Sequence, residues 1–483
     1  MNEYDVYNLF LDFEKENNLF DITYKGYRFW DYTRYNFYKV LCCNYLNIFN
    51  QIQKPINPIA VETNDYIKDR LMDTNNIGQY DIVLMGNPRR VKQADGYYHD
   101  IYTDYIPDLL DGYSTLTIED PFWNQFTHQT DSHLTPAKTQ NIVYTDNLIH
   151  DFYNAYFDND SMKEEKTDLQ RIFTDIAGIF AKTFDFDYEI AITNSVLLSL
   201  FIMFTENEYC RLLKKVNPKA ILFIFHPNPS CLSILNCAKK LGIPIAEIQH
   251  GIFGEFEPIW HKFRDTDKDY VLPDYVLTLS PRVVFENDMC MTKENGKLKY
   301  VGYPFLEYKI KEYANIEKDT KVKNILFVSQ TNIGIKLSNF AAELADYLKD
   351  NPNYHIIYKL HPFELKREYP HLNKKNITVI KDLEKDVYYY AKKSSIQVGV
   401  YSTAIYEAIE FGLSTIIAEN IMGGKEAIKI LDGLDGVYSA TTPKEAYDII
   451  MSNPKYTETN GAFWPQVNKE NYTRVIEDII NRR

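Results

Sequence analysis

"NILFVSQTNIGIKLSNFAAELADYLKDNPNYHIIYKLHP", residues 324–362, decides the fold. It begins with a short apolar run from Ile325 to Val328 and passes through a polar, glycine-containing loop, SQTNIG (329–334). The amphipathic segment that follows predicts a helix over 335–350. A second apolar run then stops on His361 and Pro362. Strand, helix, strand at this spacing is a βαβ unit, with parallel strands buried on both faces. The pattern continues with NITVIKD (376–382), a helix over 384–393, IQVGVYS (396–402), a helix over 403–412, STIIAEN (414–420), a helix over 424–431 and GVYSA (436–440).

Upstream, the same alternation is looser. YDIVLMGNP (80–88), NIVYTDN (141–147), KAILFIFHPN (219–228), IPIAEIQHG (243–251), DYVLTLS (274–280) and KYVGYP (299–304) read as strands. Long helices fill 163–214, and the first 75 or so residues carry a helical period, as in YRFWDYTRYNFYKVLCCNYL (27–46). The polar stretch EYKIKEYANIEKDTKVK (307–323) reads as a connection. The expectation is α/β: two Rossmann-like doubly wound lobes with a helical N-terminal extension. Residues 1–306 form the helical segment and first lobe, 324–460 the second lobe, and 461–483 a last helix able to pack back on the first. The crevice outside the strand carboxyl ends is the default site in such lobes, and a cleft between the two lobes is expected to hold it.

Composition bounds the function. The chain has 483 residues, enough for two cores, with 53 basic and 67 acidic residues and a net charge of −14. That balance opposes a nucleic-acid coat, which needs a cationic footprint. The six cysteines are scattered without a CxxC pair, so neither a zinc site nor a disulfide framework is expected. The amino terminus, MNEYDVYNLFLDFEKENNLF, is acidic and amphipathic, unlike a secretion signal. The apolar stretch IAITNSVLLSLFIMF (190–204) carries Thr193, Asn194, Ser195 and Ser199 and reads as a buried helix rather than a membrane span. A cytoplasmic protein, free or peripheral at the inner face of the plasma membrane, is expected.

The chemistry-bearing residues cluster at strand ends. His361–Pro362 closes the second strand of the second lobe, Gln330 and Thr331 follow its first, and Ser402–Thr403 open a helix after its fourth. A helix start with two hydroxyls offers donors to phosphate, and Glu407, one turn in, is placed to accept from ribose hydroxyls. In the first lobe His250–Gly251 ends a strand. A near-neutral imidazole there suits a general base, and glycine lets substrate approach the backbone. His226, in a second His-Pro strand end, and the loop NPRRVKQADGYYHDIYTD (87–104) with Arg89 and Asp95 are acceptor-side candidates.

These residues resemble those of bacterial GT-B glycosyltransferases of surface-polysaccharide assembly (capsule, lipopolysaccharide O-antigen and teichoic acid). The similarity is closest to sialyltransferases, polysialyltransferases and CDP-glycerol glycerophosphotransferases. Those families share an HP motif and, some forty residues on, a Ser-Ser or Ser-Thr pair at a helix start. Here the separation is 402 − 361 = 41 residues. The glycerophosphotransferases also carry a His-Gly at a first-lobe strand end, matched by QHG at His250. The resemblance covers roughly residues 219–440. It implies an inverting, metal-independent transfer from a nucleotide-activated sugar, CMP- or CDP-linked, to a saccharide or glycolipid acceptor. His361, Ser402 and Thr403 would hold the donor phosphate and His250 would be the base, with no further cofactor. The alternatives are a non-hydrolysing nucleotide-sugar 2-epimerase, and a non-catalytic saccharide-binding or scaffold subunit of a capsule machine.

Overall fold

The computed structural model describes residues 1–482 apart from 48–57, 123–125, 127–128, 225–226, 257–258, 319–320, 383, 458–460 and 462. The chain divides into two compact units. The first is Met1–Thr278, Val284–Val301 and Asn468–Arg483, and the second is Leu279–Val283 and Gly302–Val467. The helix Lys469–Ile480 thus belongs to the first unit, while the stretch 307–323 contributes most of the helix Pro304–Glu312 to the second.

The first unit is built on β1 (Ile82–Met85), β4 (Thr115–Glu119), β5 (Ile142–Tyr144), β6 (Ala220–Ile224), β7 (Ile245–Ile248), β8 (Tyr275–Thr278) and β9 (Leu298–Tyr300), with a small antiparallel hairpin of β2 (Val91–Lys92) and β3 (Tyr98–His99) after β1. Its sheet order is β5-β4-β1-β6-β7-β8-β9, every pairing parallel. The chain steps outward from β1 to one edge, returns to β6 beside β1, and steps to the other edge. That is the doubly wound order, with its switch point between β1 and β6. Strand β4 was not anticipated from its sequence, TLTIE, because threonines alternate with the apolar residues and an acid ends it.

The second unit repeats the plan with β10 (Lys323–Val328), β11 (Tyr354–Lys359), β12 (Ile377–Ile380), β13 (Ile396–Gly399), β14 (Ser414–Ala418) and β15 (Val437–Ala440). The order is β12-β11-β10-β13-β14-β15, again all parallel, with the switch between β10 and β13. Both units therefore have the Rossmann-like architecture on their own strand order.

In the first unit, the helices Glu3–Glu16, Trp30–Leu46, Lys163–Phe184 and Glu189–Val216 share one aromatic core. Phe10, Phe13, Trp30, Phe37, Phe184 and Tyr188 all place rings against Phe180 at 4.4–6.2 Å. The helix Glu189–Val216 is the one helix among the described residues long and apolar enough to cross a bilayer. It is instead core, with 67% of its most apolar window buried inside the unit. The cysteine reading needs correction: Cys210 and Cys237 form a disulfide joining this helix to Pro229–Leu241, with Cα atoms 5.2 Å apart.

One charged pair anchors this helical layer. Arg34 and Glu14 are both 1% exposed. Arg34 Nε donates to Glu14 Oε1 at 2.6 Å and its Nη2 donates to Oε2, while Trp30 Nε1 donates to Oε1 at 2.8 Å. Arg34 Nη1 reaches the carbonyls of Ile259 (2.7 Å) and Lys262 (3.0 Å). The amino-terminal helices thus grip a loop more than 220 residues away. Breaking a buried pair strands the remaining charge, so Arg34→Met is expected to cost about 3–5 kcal/mol. In urea unfolding, Arg34→Met with Glu14→Leu should lose less than Arg34→Met alone. A double-variant loss equal to the sum of the two single-variant losses would show that the pair carries no coupling.

Candidate functional site

In the second unit the crevice at the β10–β13 switch is flanked by the loops after those strands, and the loop after β11 lies next to it. Gln330 and Thr331, Ser402 and Thr403, and His361 and Pro362 are thereby brought to one sheet edge by three adjacent strands. The half-buried His361 caps the short 3-10 turn Pro362–Glu364. Its Nδ1 accepts from the Phe363 backbone N–H at 3.2 Å, and its own backbone N–H donates to Glu364 Oε2 at 3.3 Å. With Nδ1 accepting, the tautomer this cap favours carries the proton on Nε2. Strand β11 ends here because proline has no N–H for the ladder.

Glu364 was overlooked in the sequence, although an acid three residues after a cap is the signature of a capping box. It is 1% exposed and accepts from the Tyr369 hydroxyl at 2.6 Å and from Arg367 at 3.3 Å. It also lies against Gly334, where an added Cβ would meet its Oε1 at 2.0 Å. Gly334 opens the helix Gly334–Leu348, so the positive end of that helix is already covered by an internal carboxylate. The start after β13 is different. Ser402 makes no side-chain cap bond and Thr403 is exposed, at the head of the short helix Thr403–Ala408. Gln330 keeps a buried Oε1 with no hydrogen-bond partner among the described residues.

Glu407 needs correction. Ile405, Tyr406 and Glu407 lie on the buried face of their helix, so this carboxylate is 8% exposed rather than open to the rim. Its Oε2 accepts from the Tyr388 hydroxyl at 2.5 Å, and burial pushes its pKa up to about 7. An oxygen expected to meet ribose is committed inside the unit.

In the first unit, Arg89 is exposed just past β1, at the switch point. Asp95 is a turn residue of the β2–β3 hairpin. Its Oδ1 accepts from Tyr97 N–H at 3.0 Å and its Oδ2 bonds the His99 ring at 2.8 Å. His226 lies outside the described residues. His250 follows β7 with its side chain 26% exposed, and a Cβ on Gly251 would meet no atom within 4 Å, which leaves room beside it. Burial pushes the His250 pKa down and a nearby carboxylate, Glu247, pulls it up; the net displacement is downward, favouring the neutral ring a base requires. Glu247, Trp260 and His261 surround it, and none of the three was singled out from the sequence. The available signal was an acid in the apolar run IPIAEIQHG.

A second buried group lies at the β4 and β5 ends. His133 bonds Glu119 Oε1 through Nδ1 (2.8 Å) and Asp146 Oδ1 through Nε2 (3.0 Å). Arg90 lies 3.3 Å from the same Glu119 oxygen and donates to the carbonyls of Ser132, His133 and Thr135. This group explains how Glu119 can end a buried strand.

No protein-family model and no curated protein matches the chain. Solved structures do align. The UDP-GlcNAc 2-epimerase of Neisseria meningitidis bound to UDP-GlcNAc is 15% identical, with 83% of this chain and 99% of that one covered and a TM-score of 0.49. The Methanocaldococcus jannaschii UDP-GlcNAc 2-epimerase in complex with UDP-GlcNAc and UDP is 13% identical, with the same coverage and a TM-score of 0.46. A spinosyn rhamnosyltransferase is 9% identical over 83% of this chain and 92% of that one, with a TM-score of 0.41. The architecture of the two units rests on their own strand order.

The buried histidine sets a pH dependence. Burial alone would push the His133 pKa down, but its bonds to Asp146 and Glu119 outweigh that and hold it at about 9. The folded value exceeds the unfolded value of about 6.5. The stabilisation is therefore full below about pH 6.5 and is lost as pH rises through about 9. The stability difference between wild type and His133→Asn in urea should shrink between pH 7.5 and 9.5. A constant difference across that window would contradict the charged state.

Proposed function

We propose that the protein is a glycosyltransferase. It moves a sugar or sugar-like group from a nucleotide-activated donor, CMP- or CDP-linked, to a saccharide or glycolipid acceptor of the cell surface, with inversion and without a metal ion. The observation that carries the reading is His361. Its ring is fixed by a backbone N–H at Nδ1, so that Nε2 is the donor nitrogen, at the edge beside the switch-point crevice of the second unit. Ser402 and Thr403, two strands across that edge, supply hydroxyl and backbone donors.

Each group has a task. His361 Nε2–H and the donors at 402–403 hold the phosphate next to the scissile bond and stabilise the negative charge that grows on it as the nucleotide leaves; one such donor is worth about 3–4 kcal/mol. His250 takes the proton from the acceptor hydroxyl. The acceptor oxygen forms the new bond to the anomeric carbon, and the bond from that carbon to the nucleotide phosphate oxygen breaks with its electron pair. Proton and charge end on separate groups, so the step balances without a further reactant.

A thermal-shift screen with CMP, CDP, UDP and GDP tests the donor side. A cytidine nucleotide should raise the melting temperature, and His361→Ala should abolish that shift; an unchanged shift in the variant removes the donor-site reading. His250→Ala should keep the shift and cut transfer by about 100-fold or more. Incubation with UDP-GlcNAc alone should give no 2-epimer, and its appearance would make the protein an epimerase instead.

A further inference from the structure

Strand β7 is buried along its length, yet Glu247 stands in it between Ala246 and Ile248 with no exposed surface. An uncompensated carboxylate there would be strongly destabilising. Two imidazoles compensate it. His261 Nε2 lies 2.8 Å from Glu247 Oε2, and His250 Nδ1 lies 4.0 Å from Oε1. His261 is fully buried, so it is a structural partner that holds the carboxylate. His250 is the partly exposed one. Trp260 stacks on its ring at 6.4 Å and 13°, and the Tyr102 hydroxyl donates to its carbonyl at 2.6 Å. The indole stacks on the ring, and Nδ1 is the nitrogen on the Glu247 side, at ion-pair rather than hydrogen-bond distance, so Nε2 is the nitrogen away from the carboxylate.

The geometry points to Glu247 as the positioning residue of His250: its carboxylate, oriented by His261, fixes the imidazole and stabilises the imidazolium formed when His250 accepts the acceptor's proton. This rests on the reading of His250 as the base. A carboxylate kept only for folding needs one partner, and His261 already supplies it. The second imidazole, at ion-pair distance and partly open, is what a proton acceptor requires. The remaining link is Arg34, which grips the carbonyls on either side of Trp260 and His261 and so holds both against β7 and His250.

Among the described residues, the charged groups facing His250 are Glu247 on β7 and His261 on the turn Ile259–His261, and Phe253 and Trp260 are uncharged ring neighbours. Glu247 raises the His250 pKa and His261 lowers it. Removing the charge of Glu247 must therefore move the His250 titration to lower pH. The experiment follows the His250 ring by NMR in full-length protein carrying labelled histidine, assigned with His250→Ala, for wild type, Glu247→Gln and Glu247→Asp. Glu247→Gln keeps an acceptor for His261, loses the charge, and should lower the His250 midpoint. It should also cut turnover of the donor found in the nucleotide screen by about 10- to 100-fold, with KM unchanged. Glu247→Asp should restore the midpoint toward wild type. A folded Glu247→Gln with an unmoved His250 titration overturns the proposal. Should Glu247→Gln fail to fold, His261→Gln with an unmoved His250 titration and full turnover overturns it instead. A shifted titration alongside wild-type turnover in His250→Ala would show that the coupling exists but that His250 is not the base, and the positioning role falls with that reading.

Discussion

The first unit depends on satisfying one guanidinium. Arg34 sits in a helix packed into an aromatic core, and its fork must find acceptors in a place without water. Glu14 supplies two oxygens from the neighbouring helix, and the carbonyls of Ile259 and Lys262 supply the rest. The second set matters for function. Between those two carbonyls lie Trp260 and His261, which pack on His250 and bind Glu247. The amino-terminal helices are therefore tied to the geometry of the proposed base.

The two units handle histidine in opposite ways. His361 is fixed by a backbone N–H at Nδ1, which favours a neutral ring with a proton to donate. His250 faces a carboxylate with Nδ1 and sits in a buried setting that lowers its pKa, which favours a neutral ring ready to accept. One ring suits a leaving phosphate and the other an attacking hydroxyl. The internal anion Glu364 lies against the helix start at Gly334, whereas the start at Ser402 carries no side-chain cap.

The second unit was legible because its central parallel strands are buried on both faces and read as apolar runs, as in Ile325–Val328 and Ile416–Ala418. His361 and Ser402 were legible for the same reason, since each stands where such a run ends. Strand β4 was hidden because the partner that lets Glu119 be buried, His133, lies 14 residues away in the 3-10 turn Asp131–Leu134. Glu407 was misplaced because spacing along a helix does not say which face is core. Arg34, Glu247 and His261 were missed for a common reason. Each looks like an ordinary surface residue until its partner is known, and for Arg34 the acceptors stand 225 and 228 residues away.

The central claim is that the Nε2–H of His361 meets the donor phosphate. The most direct measurement is a long-range 1H–15N spectrum of the histidine rings, with His361 assigned by substitution, recorded before and after CMP is added. The account predicts an Nε2-protonated His361 whose Nε2 resonance moves on binding while Nδ1 remains the unprotonated nitrogen. An Nδ1-protonated ring, or saturating CMP that leaves His361 unmoved, would contradict it.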